Sequence, residues 1–191
     1  LEFPIMNYGA AVLYKIFGFS EFWYRLLMFI VYACGLYASY LITGFFLNNI
    51  SYRYLSIFLF SITPILTYYA ANFIPDTASF GFMMIAWYFF FSYFKQPSFF
   101  RFIFLTLFAS LAVLIKLTSA IGVIIMIGLI VWSYIRKKNF ELTNLKFTRP
   151  LVLASCLIVF GLTYSWYTYA KYLNDTYGLT VFLMKSMRPE S

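Results

Sequence analysis

Long runs of hydrophobic residues alternate with short polar breaks along the whole chain. Six runs are each near the ~20 residues that an α-helix needs to cross the hydrocarbon core of a bilayer. Within each run the apolar residues are continuous rather than alternating, which favours helices over strands. The predicted spans are Phe22–Leu47, Tyr52–Ala71, Asp76–Tyr93, Phe99–Ile115, Leu117–Ile135 and Pro150–Ala170.

A tight turn and a short helix are predicted in addition to the spans. The stretch from residue 99 to 135 would be about 55 Å long as one helix, too long for a bilayer. We therefore predict a tight turn at its one strong polar cluster, Lys116-Leu117-Thr118-Ser119. Ahead of the first span, Pro4–Phe17 predicts a short helix that ends at Gly18 and lies along the membrane interface.

Composition supports the same class of protein. Hydrophobic residues make up 63% of the 191 residues, charged residues make up 10%, and histidine is absent. A water-soluble domain must cover itself with polar groups, and this chain has too few of them. Inside a bilayer the backbone must satisfy its own hydrogen bonds, which leaves helices as the solution here. The predicted fold is an all-α, polytopic membrane helix bundle.

The net charge of +8 comes from basic residues scattered at span ends. No basic face follows a phosphate backbone, so nucleic acid is not an expected partner, whereas membrane lipids are. The cluster Arg136-Lys137-Lys138 directly follows a span and predicts a cytoplasmic loop there. Five of the six acids then lie on the outer side, namely Glu2, Glu21, Asp76, Asp175 and Glu190.

Ionisable groups at membrane depth are costly, and each is a candidate for function. Lys116 either extends its charge to the lipid headgroups or binds a lipid-linked phosphate. Asp76 follows Pro75 at a helix start, where it either caps the helix or presents a carboxylate to a ligand. Glu2 is explained as well by an exposed loop acid, and Arg25 by an ion pair with Glu21 four residues earlier.

Weaker signals lie near the span ends. Aromatic residues form 25% of the chain, and an interfacial belt explains them by default, with sugar stacking as the alternative. Asn174-Asp175-Thr176 matches a glycosylation sequon. There is no Walker loop, nucleophile elbow or histidine pair for a metal, so any chemistry rests on carboxylates, lysine and arginine. A transporter or non-catalytic membrane subunit is the alternative class. A transporter should show internal repeats and interrupted helices near the midplane, whereas this sequence shows no convincing repeat and its polar residues lie at span ends, which favours an enzyme and leaves a scaffold open.

Three blocks of sequence carry a family resemblance. "LEFPIMNYGAAVLYKIFGFSEFWYRL", "YYAANFIPDTASFGFMMIAWYFFF" and "LAVLIKLTSAIGVII" occur in this order between Glu2 and Ile135. Together they resemble polyprenyl-phosphate-sugar glycosyltransferases of the GT-C fold, which include protein O-mannosyltransferases and lipid A aminoarabinose transferases.

The resemblance implies a membrane enzyme with inverting transfer of a sugar from a polyprenyl-phosphate donor to an envelope acceptor. It implies that Glu2, Asp76, Lys116 and Arg25 bind substrate, with Lys116 on the carrier phosphate. Phe3 stands where some relatives have a phosphate-binding lysine. The donor is a substrate rather than a cofactor, and dependence on a divalent metal is left open.

The resemblance also bears on where the enzyme acts and how much of it is present. It implies that residues 1–191 form one transmembrane domain cut from a longer chain. The first span and the outer loop with the catalytic base would precede Leu1, and a C-terminal part would follow. We expect an integral protein of a bacterial plasma membrane with its active side facing outward.

Overall fold

The computed structural model of the protein describes residues 3–136 and 151–177. All regular structure in these two ranges is helical. The eight α-helices are α1 Ile5–Phe17, α2 Glu21–Phe46, α3 Ile50–Ser61, α4 Pro64–Ala70, α5 Asp76–Lys95, α6 Phe99–Ile115, α7 Ala120–Arg136 and α8 Leu151–Tyr177. The predicted all-α bundle is therefore confirmed.

Three of these helices, α2, α5 and α8, are long and apolar enough to cross a membrane alone. The segments Phe99–Ile115 and Leu117–Ser133 are apolar but shorter. At about 1.5 Å per residue a 17-residue helix such as α6 spans roughly 25 Å, close to the thickness of the hydrocarbon core. The long helices fit three of the six predicted spans closely, although α8 continues past the predicted end at Ala170 to Tyr177.

The second predicted span, Tyr52–Ala71, is wrong as a single straight helix. The structure divides it into α3 and α4, which are bent by 71° relative to each other. The break lies at Pro64, the first residue of α4, with Thr63 in an extended conformation before it. Proline has no N–H to donate, and its ring clashes with the carbonyl four residues earlier. The sequence therefore contained the signal for this interruption.

Helix α5 forms the centre of the bundle, packed between α2 and α6. The approach of α2 to α5 depends on two glycines. A Cβ added at Gly35 would lie 2.5 Å from the Cα of Gly81, and one added at Gly81 would lie 2.5 Å from the carbonyl oxygen of Val31. Small residues permit such close helix contact inside a membrane. The crossing fixes the position of α5, and hence of Asp76 at its first residue.

The short helix α1 has the predicted extent and ends at Gly18. This glycine has φ +85°, which other residues rarely adopt, and its N–H donates to the carbonyl of Tyr14 at 3.0 Å. Met6 and Ala10 on one face of α1 are buried in a cluster with Met28, Ala78 and Ile115. This apolar cluster holds α1 against the same end of the bundle at which α5 begins and α6 ends.

Candidate functional site

Five segments meet at one end of the bundle, called the site end below. The backbone N–H of Phe3 donates to the carbonyl of Leu114 at 3.0 Å. The Phe3 ring packs edge to face on Trp166, with 4.8 Å between ring centroids. The hydroxyl of Tyr24 donates to the carbonyl of Phe73 at 3.4 Å. The residues before α1, the start of α2, the loop before α5, the end of α6 and the second half of α8 therefore converge at one end.

The turn between α6 and α7 has the predicted form. Helix α6 ends at Ile115, Lys116 is extended, and a single 3-10 turn over Leu117–Ser119 leads into α7. The N–H of Ser119 donates back to the carbonyl of Lys116 at 3.0 Å. The predicted position of the turn, within an otherwise continuous apolar stretch, is thus confirmed.

A buried serine, missed in the sequence, fixes this turn against α5. Ser79 has 1% of its surface exposed. Its hydroxyl donates to the carbonyl of Ala112 at 2.8 Å and shares a 2.6 Å hydrogen bond with the hydroxyl of Ser119. Ser79 follows Asp76 by three residues, which places both on the same side of α5. That i,i+3 spacing of an acid and a small polar residue was the available signal.

The result of this packing is an ion pair between Lys116 and Asp76. The lysine Nζ contacts the Oδ1 of the aspartate, and the side chains are 38% and 32% exposed, respectively. The pair therefore lies at the surface of the site end, accessible to a ligand. A lysine ammonium has three N–H donors. One binds Asp76, which leaves the others available to a second anion.

The helix-capping explanation of Asp76 is wrong. The residue that precedes α5 in the N-cap position is Pro75, and no side chain caps the helix there. Asp76 is the first residue of the helix itself, and its carboxylate contacts another helix terminus through Lys116. The side chain still lies at the positive end of the α5 dipole, a favourable position for an acidic residue. The charge explains its position better than capping does.

Arg25 makes the predicted ion pair. Its guanidinium donates to the carboxylate of Glu21 at 3.2 Å, with side chains 46% and 67% exposed. The guanidinium carbon also lies 4.9 Å from the centre of the Phe73 ring, a cation–π contact. Phe73 belongs to the loop that leads into Asp76. Arg25 thus borders the site through Phe73. Lys116 and Asp76, in contrast, contact each other directly.

The remaining candidates fall into two groups. Glu2 lies outside the described residues, as do Lys137 and Lys138 of the basic cluster. The sequon interpretation of Asn174 is wrong, because Asn174 lies within α8 with only 8% of its surface exposed. A glycosylation acceptor must instead be accessible on the surface. Within residues 3–136 and 151–177, no three His, Cys, Asp or Glu side chains are grouped so that they could hold a metal ion.

Comparison with known proteins adds one finding. A family model described as dolichyl-phosphate-mannose-protein mannosyltransferase matches residues 3–166, most of the chain. No curated protein and no solved structure matches the chain. Transporters also contain interrupted helices, and the pair α3–α4 is one. The helix pattern therefore does not separate a transporter from a transferase, and the family match is the finding that favours a transferase.

Proposed function

Because the chain belongs to the dolichyl-phosphate-mannose-protein mannosyltransferase family, we propose that it transfers a sugar from a polyprenyl-phosphate carrier to an envelope acceptor. The observation that carries the proposal is the contact between Lys116 and Asp76 at the site end. A cation and an acid brought together at the surface of a membrane bundle suit a substrate with a phosphate and a sugar. The family match supports this class of reaction, and the ion pair supports the site end as its location.

The proposed reaction is inverting. The oxygen of an acceptor hydroxyl attacks the anomeric carbon and forms the new glycosidic bond. The bond from that carbon to the phosphate oxygen breaks, and its electron pair leaves with the polyprenyl phosphate. The hydroxyl proton passes to a general base, a role that we assign to no described residue. No protein-bound cofactor is needed for this reaction, and its dependence on a divalent metal is to be measured.

Lys116 would stabilise the leaving phosphate. Negative charge grows on the phosphate oxygens as the bond breaks, and an ammonium already fixed nearby stabilises that charge most effectively. Lys116 also lies directly after the last residue of α6, at the negative end of that helix dipole, where a cation is favoured. Asp76 would hold the lysine in position and orient the sugar or the acceptor. Glu2 and Arg25 would also bind substrate, as the family resemblance implies.

The first test is sugar transfer by the full-length protein in membranes. Polyprenyl-phosphate mannose carrying a radiolabel on the sugar is supplied first, followed by donors with other hexoses and pentoses. We expect label to move from the lipid fraction into an envelope acceptor, with release of polyprenyl phosphate. Absence of transfer from every donor, with the protein intact in the membrane, would overturn the proposal.

The second test concerns sidedness, because we propose that the site end faces outward from a bacterial plasma membrane. Single cysteines replace the exposed residues Pro97 and Asp175 in a background that lacks Cys34 and Cys156. An impermeant thiol reagent applied to intact cells should label position 175, and should label position 97 only after the membrane is opened. Labelling of position 97 but not 175 in intact cells would reverse the orientation.

A further inference from the structure

Helix α5 begins without a side-chain cap, although it carries Asp76 at its first residue. The carbonyl of Pro75 accepts the hydrogen bond that opens the helix, from the N–H of Ser79 at 3.0 Å. Asp76 and Thr77 therefore lie in the first turn, whose N–H groups have no partner within the helix and where helices fray. The helix alone does not fix the carboxylate of Asp76 against Lys116.

The hydroxyl of Thr77 fixes this helix start from outside the helix. The usual hydrogen bond of a helical threonine runs to the carbonyl four residues earlier, as in Thr43, Thr106, Thr163, Thr168 and Thr176. Thr77 differs, because its hydroxyl donates at 2.9 Å to the carbonyl of Tyr69, eight residues earlier. Thr77 is only 1% exposed, and Tyr69 lies in the last turn of α4. The bond therefore joins the end of α4 to the start of α5 and closes the loop between them.

Tyr24 of α2 holds the middle of the same loop. Its side chain is buried, and its hydroxyl donates to the carbonyl of Phe73 at 3.4 Å. The two rings also pack together, with 5.2 Å between their centroids. The hydroxyl contact is longer than that of Thr77, so we expect it to contribute less. The loop before Asp76 is thus attached both to α4 and to α2.

Packing inside the bundle gives α4 and this loop little other support. Among the described residues of α3 and α4, only Ala70 is buried. In the loop, Phe73 and Ile74 are 44% and 42% exposed. Helix α5, in contrast, has buried residues along its length, from Thr77 to Phe94. The two hydroxyl groups are therefore a main support of the loop that leads into α5.

We propose that Thr77 and Tyr24 are positioning residues for sugar transfer, because their hydroxyls hold the loop that places Asp76 against Lys116. The proposal rests on the proposed function and adds to it two residues that act through Asp76 rather than on the substrate. Without the Thr77 hydrogen bond, the first turn of α5 frays and Asp76 moves away from Lys116 more often. The ammonium then loses its fixed position beside the leaving phosphate.

Thr77→Val in the full-length protein removes the hydroxyl and keeps a β-branched side chain of similar size. The carbonyl of Tyr69 also accepts from the N–H of Asn72 at 3.3 Å. The substitution therefore leaves this carbonyl paired and should cost little stability. Thr77→Ser keeps the hydroxyl and serves as the rescue variant. Tyr24→Phe removes the second hydroxyl and keeps the ring contact with the loop.

The matched control is Tyr32→Phe. Tyr32 is also buried on α2, about two turns after Tyr24. Its hydroxyl donates to the carbonyl of Phe60 at 3.3 Å, so the two tyrosines make the same type of contact. Phe60 lies in α3, before the bend and outside the loop that leads into α5. Loss of the Tyr32 hydroxyl should therefore resemble loss of the Tyr24 hydroxyl in thermal stability but not in sugar transfer.

We expect Thr77→Val to lower kcat/KM for lipid-linked sugar roughly two- to tenfold, the range for one neutral hydrogen bond. Tyr24→Phe should lower it less, whereas Thr77→Ser and Tyr32→Phe should keep the wild-type value. When Asp76→Asn is already present, Thr77→Val and Tyr24→Phe should cause no further loss, because they act through that carboxylate.

Three kinetic results would overturn the proposal. They are wild-type kcat/KM in Thr77→Val, losses that multiply when Asp76→Asn is added, and equal losses in Tyr24→Phe and Tyr32→Phe. If Thr77→Val does not fold, Tyr24→Phe decides by the last two criteria. The midpoint of thermal unfolding in detergent is measured on every preparation.

A spectroscopic measurement separates the positioning role from the reaction. The aspartate carboxyl carbons of the full-length protein are isotope-labelled for NMR in nanodiscs, and the signal of Asp76 is the one that Asp76→Asn removes. This signal should move in Lys116→Ala, which breaks the ion pair, and should move in Thr77→Val and Tyr24→Phe but not in Tyr32→Phe. An unchanged signal in Tyr24→Phe and Thr77→Val would refute the positioning role. A moved signal in both variants, without transfer by the wild-type protein from any donor, would instead refute the proposed function and leave the positioning of Asp76 standing.

Discussion

The two ends of the bundle use their charged residues in different ways. At the end opposite the site, arginines bind the carbonyl groups at which nearby helices stop. The Nε of Arg53 donates to the carbonyl of Leu47, just after α2, at 3.1 Å. A guanidinium nitrogen of Arg101 donates to the carbonyl of Ser92, in the last turn of α5, at 3.1 Å. Cations in these positions satisfy free carbonyls and complement the helix dipole.

At the site end, the lysine that ends α6 is used differently. Lys116 lies directly after the last residue of a helix, as a capping cation would. Its ammonium nevertheless contacts Asp76, forty residues earlier in the chain (116 − 76 = 40). The arginine contacts at the opposite end join residues six and nine positions apart. Local contacts stabilise helix ends, whereas the Lys116 contact exists only after three helices have packed.

Stability gives little reason for the pair at the site end. An ion pair whose side chains are about a third exposed is screened by water, and such pairs contribute between roughly 0 and 1 kcal/mol. The chain nonetheless positions both helix ends with buried hydrogen bonds from Ser79. Precise support for a weak ion pair fits a binding site better than a structural contact. Substitutions of charged residues at the opposite end should therefore lower the stability of the protein. Substitutions of the ion pair at the site end should instead lower the turnover of sugar transfer.

Replacing Lys116 should have the largest effect. A charge-assisted hydrogen bond to phosphate contributes about 1.5–3 kcal/mol, so Lys116→Ala should lower kcat/KM for lipid-linked sugar roughly ten- to a hundredfold. Lys116→Arg should recover part of this, because the charge remains while its geometry changes. The measurement is sugar transfer by the full-length protein in membranes at equal expression. Lys171→Ala, an exposed lysine on α8, serves as the control, and an equal loss in both variants would contradict a specific role.

Removing the charge of Asp76 should have a smaller effect on turnover and almost none on folding. Asp76 makes no capping hydrogen bond, so Asp76→Asn should keep the helix start and change stability by less than about 1 kcal/mol. Lys116 would lose its partner and its fixed position, so turnover should fall about tenfold. Both quantities are measured on the same preparation, with Asp175→Asn as the control. Wild-type turnover for Asp76→Asn would show that Asp76 has only a structural role.

The sequence predicted the helices better than it predicted the contacts between them. Hydrophobic run length places α2, α5 and α6 within a few residues, and one polar cluster suffices to place the turn at Lys116. Pro64 does not mark a boundary in the hydrophobic pattern, because the apolar run continues on both sides of it. The Lys116–Asp76 pair could not be predicted from the spacing, because it depends on the packing of α6 against α5 and on the hydrogen bonds of Ser79 with Ala112 and Ser119.

Substitution of Arg101 should give the reverse result to that of Lys116. Arg101→Ala removes hydrogen bonds to the carbonyl of Ser92 and to the side chain of Gln96. Unfolding should become easier by about 1 kcal/mol, while KM and kcat stay at wild-type values. Lys95→Ala, a neighbouring cation with a 5.8 Å contact to the Phe45 ring, should cost less. A kinetic defect in Arg101→Ala without lower stability would contradict the proposed difference between the two ends, in which charged residues stabilise the fold at one end and act in sugar transfer at the other.

The smallest effect is expected at the exposed pair of Glu21 and Arg25. Its measurement decides whether Arg25 binds substrate or only stabilises the start of α2. An i,i+4 pair on a helix surface contributes about 0.2–0.5 kcal/mol, so Glu21→Gln should be nearly silent in both stability and sugar transfer. Arg25→Gln removes the same pair and also the cation over Phe73. If Arg25 binds substrate, Arg25→Gln should raise the KM for lipid-linked sugar while Glu21→Gln does not. Equal and small effects of the two substitutions, measured side by side in transfer and thermal unfolding, would show that Arg25 only stabilises the start of α2.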